Sequence, residues 1–258
     1  MQYIFSINTG RAGSKYLFDI LSTAKDVWAD HEPEPKMTGD ILKLVENNIY
    51  KESYKTRIYK TNAIKEILIA SSYSTYIETS HMFIKTFFDV VISELQNVKI
   101  VFLKRNLVDT LHSFYQLGYF SDRNKAWPDW MISPYAVTSA IPCLLDEKDE
   151  IGLSLAYLID IYARGNRFIE ENPNTPVFHI TLEELNDAEK VRDLFLKLNI
   201  VPTETTFQSI GKKTNLRLEK KKKFGGKAIS KEYLKQRCLS YIEKLKASGY
   251  DVKDMIII

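Results

Sequence analysis

The sequence predicts an α/β fold, a three-layer sandwich in which a central, largely parallel sheet is covered by helices on both faces. Three observations lead there. Short apolar runs of strand length alternate with longer stretches of helical spacing along most of the 258 residues. No hairpin signal joins any two of the runs, as antiparallel neighbours would require. The chain also opens with a strand-like run that passes through a glycine-bearing turn directly into a helix, the opening unit of such folds. At this length, with 45% hydrophobic residues, the chain can bury a full core and reads as one domain, 1–258.

Residues 3–7 are the first strand, followed by Asn8-Thr9-Gly10-Arg11-Ala12-Gly13-Ser14-Lys15 and a helix marked by Tyr16, Leu17, Ile20 and Leu21. Gly10 and Gly13 allow a tight turn and a close approach to a ligand, and the first amides of the helix point into the same space. A turn of this kind suits phosphate or sulfate. Arg11 and Lys15 add cationic donors, and the Ser14 hydroxyl is expected to cap the helix and bond an oxyanion. The loop is not a Walker A motif, because two residues rather than four separate its glycines and Ser precedes Lys.

The second strand, 27–30, ends at His31-Glu32-Pro33-Glu34-Pro35, where the prolines stiffen the segment and hold His31 and Glu32 at the strand's end. A helix is expected over 41–49, a strand over 57–61 and another over 76–79, then a long helix through Phe83, Phe87, Val90, Val91 and Leu95. Residues 98–103 form the clearest buried strand and lead through Lys104-Arg105-Asn106 into a helix carrying Asp109 and Ser113. The stretch 119–150 is weakly patterned and rich in Trp, Pro and acidic residues; long loops of this sort often cover sites. Trp127 and Trp130 within it could stack on a sugar or a phenol, or pack the loop. A helix follows over 151–171, a strand over 177–180, a helix ending at Leu198, a lysine-rich stretch over 211–227 and a last helix over 230–247.

Ligands in open α/β sheets sit at the carboxyl ends of the strands. Three polar groups fall at such ends: residues 10–15, His31 with Glu32, and Arg105 with Ser113. Two separated anion sites imply a ligand with an anionic group at each end. The net charge of +3 argues against a general nucleic-acid binder, so any cationic function is local. Cys143 and Cys238 have no metal-type spacing; reduced thiols, core packing and a reducing compartment are expected. No metal is expected. The first apolar run is too short for a signal peptide and nothing approaches a membrane span, so a soluble, cytoplasmic protein is expected.

The two anion motifs resemble those of the sulfotransferases that use 3′-phosphoadenosine-5′-phosphosulfate (PAPS). Arg11-Ala12-Gly13-Ser14-Lys15 resembles the family's K/R-S-G-T-T loop, and the nine residues from Arg105 to Ser113 resemble its R-N-P-x-D-x-x-x-S element. Residues 181–185 are similar to its Y-E-D-L element, and residues 241–250 to its closing helix and L-G-Y, so the likeness runs along most of the chain. The resemblance implies a P-loop-like turn in which Gly10, Arg11, Ala12, Gly13, Ser14 and Lys15 bind the 5′-phosphosulfate. It implies that Arg105 and Ser113, joined by Asn215 or Arg217, bind the 3′-phosphate, and that Tyr16 stands where cytosolic members place an adenine-contacting Trp. Ala12, Lys15 and Leu107 depart from the usual Ser, Thr and Pro. Where the family often has a Lys before the long helix, this chain reads Glu78-Thr79-Ser80-His81; Lys60, in Tyr59-Lys60-Thr61, resembles the K-T-H element and is the candidate for that cation.

Sulfuryl transfer to a hydroxyl or amine needs a base for the acceptor's proton and cations for the charge that develops, a role the loop assigns to Arg11. Glu32 is the first candidate for base, lying about where the tyrosylprotein sulfotransferases have their catalytic Glu; His31 is the second. The implied activity is PAPS-dependent sulfation of a small-molecule or carbohydrate acceptor. A P-loop kinase is the first rival, opposed by the failed Walker spacing, and a nucleic-acid-binding module using the lysine-rich stretch is the second.

Overall fold

Alternating side chains along each strand sort the sheet into two apolar faces. Tyr3, Phe5 and Ile7 of strand β1 (Gln2–Ile7), Tyr76 of β3 (Thr75–Glu78) and Val98, Ile100 and Phe102 of β4 (Val98–Lys104) belong to one buried cluster. Ile4, Val27 of β2 (Val27–Asp30), Ile77, Val101, Leu103 and Ile180 of β5 (Val177–Thr181) belong to the other. The coordinates are a computed structural model that describes residues 1–212 and 217–258. Among the described residues five strands form one sheet in the order β2-β3-β1-β4-β5, and every neighbouring pair is parallel. Both faces are covered, as a parallel sheet requires.

On the second face lie α1 (Ser14–Leu21) and α7 (Ala188–Leu198), contributing Leu17, Ile20, Leu21, Leu194, Phe195 and Leu198. The first face carries α2 (Asp40–Glu46), α3 (Tyr50–Ala70), α4 (Phe88–Glu94), α5 (Leu107–Gln116) and α6 (Glu150–Glu171). After the short α8 (Glu204–Gln208) and α9 (Leu218–Phe224), helix α10 (Lys231–Ala247) returns to that face through Leu234, Cys238 and Leu245. Helix α6 lies close against β4 because Gly165 has no side chain there: a Cβ would meet Phe102 Cζ at 2.4 Å.

Two expectations are corrected. Residues 57–61 are not a strand; they belong to α3. Its buried positions, Ser53, Arg57, Lys60, Thr61, Ile64 and Leu68, follow helical spacing, but four of these six are polar, so apolar periodicity did not reveal it. Arg57 is held by the Asp89 carboxylate at 2.5 Å and by Ser53 Oγ at 3.0 Å. The long helix expected from Phe83 is divided as well, beginning as a π-helical turn over Phe83–Phe87 and continuing as α4. Residues 119–149 form no strand and no helix beyond a short turn at Trp127–Asp129, in keeping with the weak pattern expected there. The segment is tied down by side chains reaching its backbone: Asp160 Oδ1 accepts from the Ala140 amide at 2.6 Å and Glu46 Oε1 from the Ser133 amide at 2.5 Å.

Candidate active site

A cleft of about 1030 Å³ opens at the carboxyl ends of the strands. The segments that follow all five strands reach it: Gly10 to Lys15 after β1, His31 and Glu32 after β2, His81 after β3, Arg105 after β4 and Leu182 after β5. Its outer walls come from Trp127, Trp130 and Met131 of the 119–150 segment, and from Arg217 with Lys220, Lys221 and Lys223 around α9.

The first loop has the geometry of an anion cradle. Gly13 stands at the N-cap of α1 with φ +101°, and no side chain caps that helix end, so the Ser14 hydroxyl does not have the capping role expected of it. The left-handed backbone at Gly13 disfavours any larger residue, and a Cβ there would also lie 2.5 Å from Leu182 Cδ1. Ala12 is fully buried and Arg11 takes the left-handed conformation at φ 55°, which turns its side chain across the cleft. Arg11 Nε donates to Ser113 Oγ at 3.2 Å, and Arg105 Nη1 donates to the Arg11 carbonyl at 2.9 Å. The two anion motifs, far apart in sequence, therefore meet, and the two separated sites expected from the sequence are contiguous. Asn106 caps α5 by accepting from the Asp109 amide at 3.1 Å, which sets the angle at which Ser113 faces the loop.

Cations crowd this end of the cleft. Burial, then the neighbouring Arg217, lower the pKa of the Arg11 guanidinium to about 10, with Arg105 adding to the repulsion. Lys221 is lowered by burial and by Arg11 and Arg105. Among the described residues, Arg105 Nε is buried with no hydrogen-bond partner, which leaves an N–H able to donate to a bound group. Arg217 Nη1 donates to Tyr119 Oη at 3.3 Å at the start of α9. Lys15 pairs with Asp19 and stands over the Phe18 ring. Tyr16 lines the cleft while its hydroxyl accepts from the Gly211 amide at 2.6 Å. Asn215 lies outside the described residues.

The other end is nearly neutral. Glu32 Oε1 lies 3.8 Å from His31 Nε2 and 3.6 Å from His81 Nε2. Burial raises the Glu32 pKa above the ordinary 4.5, partly offset by Arg217. Burial, then Lys15 and Arg217, lower His31 to about 4, so its imidazole is neutral at neutral pH; its Nδ1 is 2.8 Å from Thr79 Oγ1. His81 is held well below the usual histidine range by burial and by Lys85. The His81 and Trp130 rings lie 6.0 Å apart, which brings the 119–150 segment against the carboxylate end.

Lys60 is not in this cleft, which corrects its assignment as a catalytic cation. It is 1% exposed on α3, where its ammonium meets Glu78 Oε2 at 3.1 Å and the Pro33 carbonyl at 3.1 Å. The pairing neutralises the charge and leaves Lys60 supporting the 31–35 segment from behind. His81 and Lys85 are the residues that sequence reading passed over. His81 carried a usable signal, since it closely follows a strand end as the other cleft residues do. Lys85 carried none, being an isolated charge in an apolar-rich helical pattern. Among the described residues, no cluster of three or more His, Cys, Asp or Glu side chains could hold a metal.

No protein-family model matches the chain, and no curated protein matches its sequence significantly. Solved structures do match. A sulfotransferase from Alicyclobacillus acidocaldarius is similar over 96% of this chain and 95% of its own, at 16% identity and a TM-score of 0.51. The sulfotransferase domain of the curacin biosynthetic pathway is similar over 94% of this chain and 97% of its own, at 12% identity and 0.53. A mouse sulfotransferase complexed with PAP (3′-phosphoadenosine 5′-phosphate) is similar over 95% of this chain and 82% of its own, at 13% identity and 0.51. The chain thus has the sulfotransferase fold.

Proposed function

We propose that the protein is a PAPS-dependent sulfotransferase acting on a hydroxyl or amine of a small-molecule or carbohydrate acceptor. The observation that carries this reading is the junction of Arg11 with Ser113 and Arg105, which makes one continuous cationic surface from the first loop to α5, in the cleft that Glu32 also lines. The residues fit the donor: the loop at Gly13 offers backbone amides to a 5′-phosphosulfate, and the unpartnered Arg105 Nε offers a donor to a 3′-phosphate. Ser113, Arg217 and Lys221 join Arg105 for that second group, and Tyr16 would contact the adenine. An anion there relieves the repulsion among Arg11, Arg105 and Arg217.

When bound, PAPS supplies a sulfuryl group on a phosphate leaving group, so its transfer leaves PAP. Glu32 takes the acceptor's proton; burial makes it a stronger base than an exposed carboxylate while the nearby imidazoles remain neutral. Arg11 and the amides at the start of α1 stabilise the charge that gathers on the leaving phosphate. Trp127 and Trp130 offer aromatic faces to the acceptor's ring or apolar body, a role suited to a small molecule. Free thiols at Cys143 and Cys238 agree with the cytoplasm as the proposed setting.

A panel of phenols, alcohols, sugars and amines incubated with sulfur-labelled PAPS is expected to yield a sulfated product and PAP in equal amounts. Phosphorylated product from ATP with magnesium, and none from PAPS, would establish the kinase instead.

A further inference from the structure

We propose that Lys85 is a positioning residue that fixes His81 in the Nε2–H tautomer, so that His81 presents a donor rather than a proton acceptor to the cleft and the base is Glu32. The tautomer follows from these contacts with Lys85 as an ammonium; only the meaning given to Glu32 rests on the sulfuryl-transfer reading.

Lys85 lies in the π-helical turn Phe83–Phe87 at 1% exposure, directly beneath the cleft floor. Its Nζ is 2.5 Å from His81 Nδ1, 2.5 Å from the Trp130 carbonyl and 3.3 Å from Tyr157 Oη. The Tyr157 hydroxyl spends its own proton on the Thr9 carbonyl at 2.9 Å, so its oxygen can only accept from the lysine. An ammonium has three N–H donors and no acceptor, and here three acceptors surround it. One acceptor must then be an unprotonated His81 Nδ1.

The opposite ring nitrogen gives the same answer. His81 Nε2 faces Glu32 Oε1 at 3.6 Å, and a carboxylate oxygen beside that nitrogen favours the proton on it. A neutral lysine would need the other tautomer, with a proton on Nδ1 donated to the amine and two lone pairs left facing each other between His81 and Glu32. Burial, with Arg164, pulls the Lys85 ammonium well below the ordinary lysine range, while Glu32 and Glu46 act in the opposite sense. The three acceptors supply the hydrogen bonds that a buried charge requires.

The same contacts join three walls of the cleft. Through Trp130 the ammonium holds the 119–150 segment, through His81 it holds the carboxylate end, and through Tyr157 and Thr9 it reaches the base of the anion loop.

The test is nitrogen NMR of the histidine-labelled full chain at neutral pH, with the His81 signals assigned by their loss in His81→Gln. The wild-type protein is expected to show protonated Nε2 and bare Nδ1 at His81, and Lys85→Met is expected to lose that preference. Sulfuryl transfer by Lys85→Met should fall on the order of 100-fold, the scale of a small misplacement near the reacting atoms. A proton on Nδ1 in the wild type would overturn the inference, and so would an unchanged tautomer in folded Lys85→Met. If Lys85→Met does not fold, the wild-type spectrum decides alone. Titrating PAP into the same sample tests the donor reading separately: absent binding with the expected tautomer would remove sulfuryl transfer yet leave the role of Lys85 intact.

Discussion

Glu32→Gln is expected to slow sulfuryl transfer by roughly 100-fold or more in a single turnover while the affinity for PAP changes little. The amide keeps the size of the side chain and much of its hydrogen bonding but cannot accept the proton. Glu32 stands beside His31 and His81 and, among the described residues, makes no hydrogen bond or ion pair with Arg105 or Ser113, so the donor's expected direct contacts do not include it. The pH dependence carries the same signature. A base must be deprotonated to act, and burial raises Glu32 above 4.5; activity should therefore fall with falling pH through a limb placed above the ordinary glutamate value. That limb should vanish in Glu32→Gln. Near-native turnover in this variant, with loss in His31→Asn, would move the role to His31.

Arg105→Ala is expected to weaken PAP by roughly 10- to 100-fold, the scale of a lost charge-assisted hydrogen bond in a half-buried site. Adenosine 5′-phosphosulfate, which lacks the 3′-phosphate, should lose far less. A smaller common loss is expected for both ligands, because Arg105 Nη1 also steadies the Arg11 carbonyl within the loop. Calorimetric titration of both compounds separates the two contributions. Equal losses would assign Arg105 to the loop alone and remove it from the 3′-phosphate.

The strands and most helices were legible because their apolar residues carry the period of the element. Residues 98–103 announced β4 in this way, and the helices from Ile151 and Ser230 fell within a residue or two of their observed starts. Helix α3 was misread at Arg57 to Thr61 because its inward face buries Arg57 and Lys60 against carboxylates and Thr61 against a backbone carbonyl, which apolar spacing does not record. The anion loop and Arg105 were legible from residue type and position at strand ends. Their convergence was expected from the strand ends, but their direct junction through Arg11 and Ser113 was not, since it depends on β1 and β4 being neighbours. Lys85 was hidden for a different reason: its three partners lie at Trp130, Tyr157 and four residues back at His81, and only the folded chain gathers them.

Thermal unfolding with added nucleotide tests the central claim most directly. Ligand that binds the folded state raises its melting temperature, by an amount equivalent to about 2.7 kcal/mol at a concentration 100 times its dissociation constant. PAP should raise the melting temperature clearly, and ATP with magnesium far less, because the cleft joins an anion loop to Arg105 and Ser113 rather than presenting a Walker loop. An equal or larger shift with ATP and magnesium, or none with PAP, would contradict the assignment of this cleft to a sulfuryl donor.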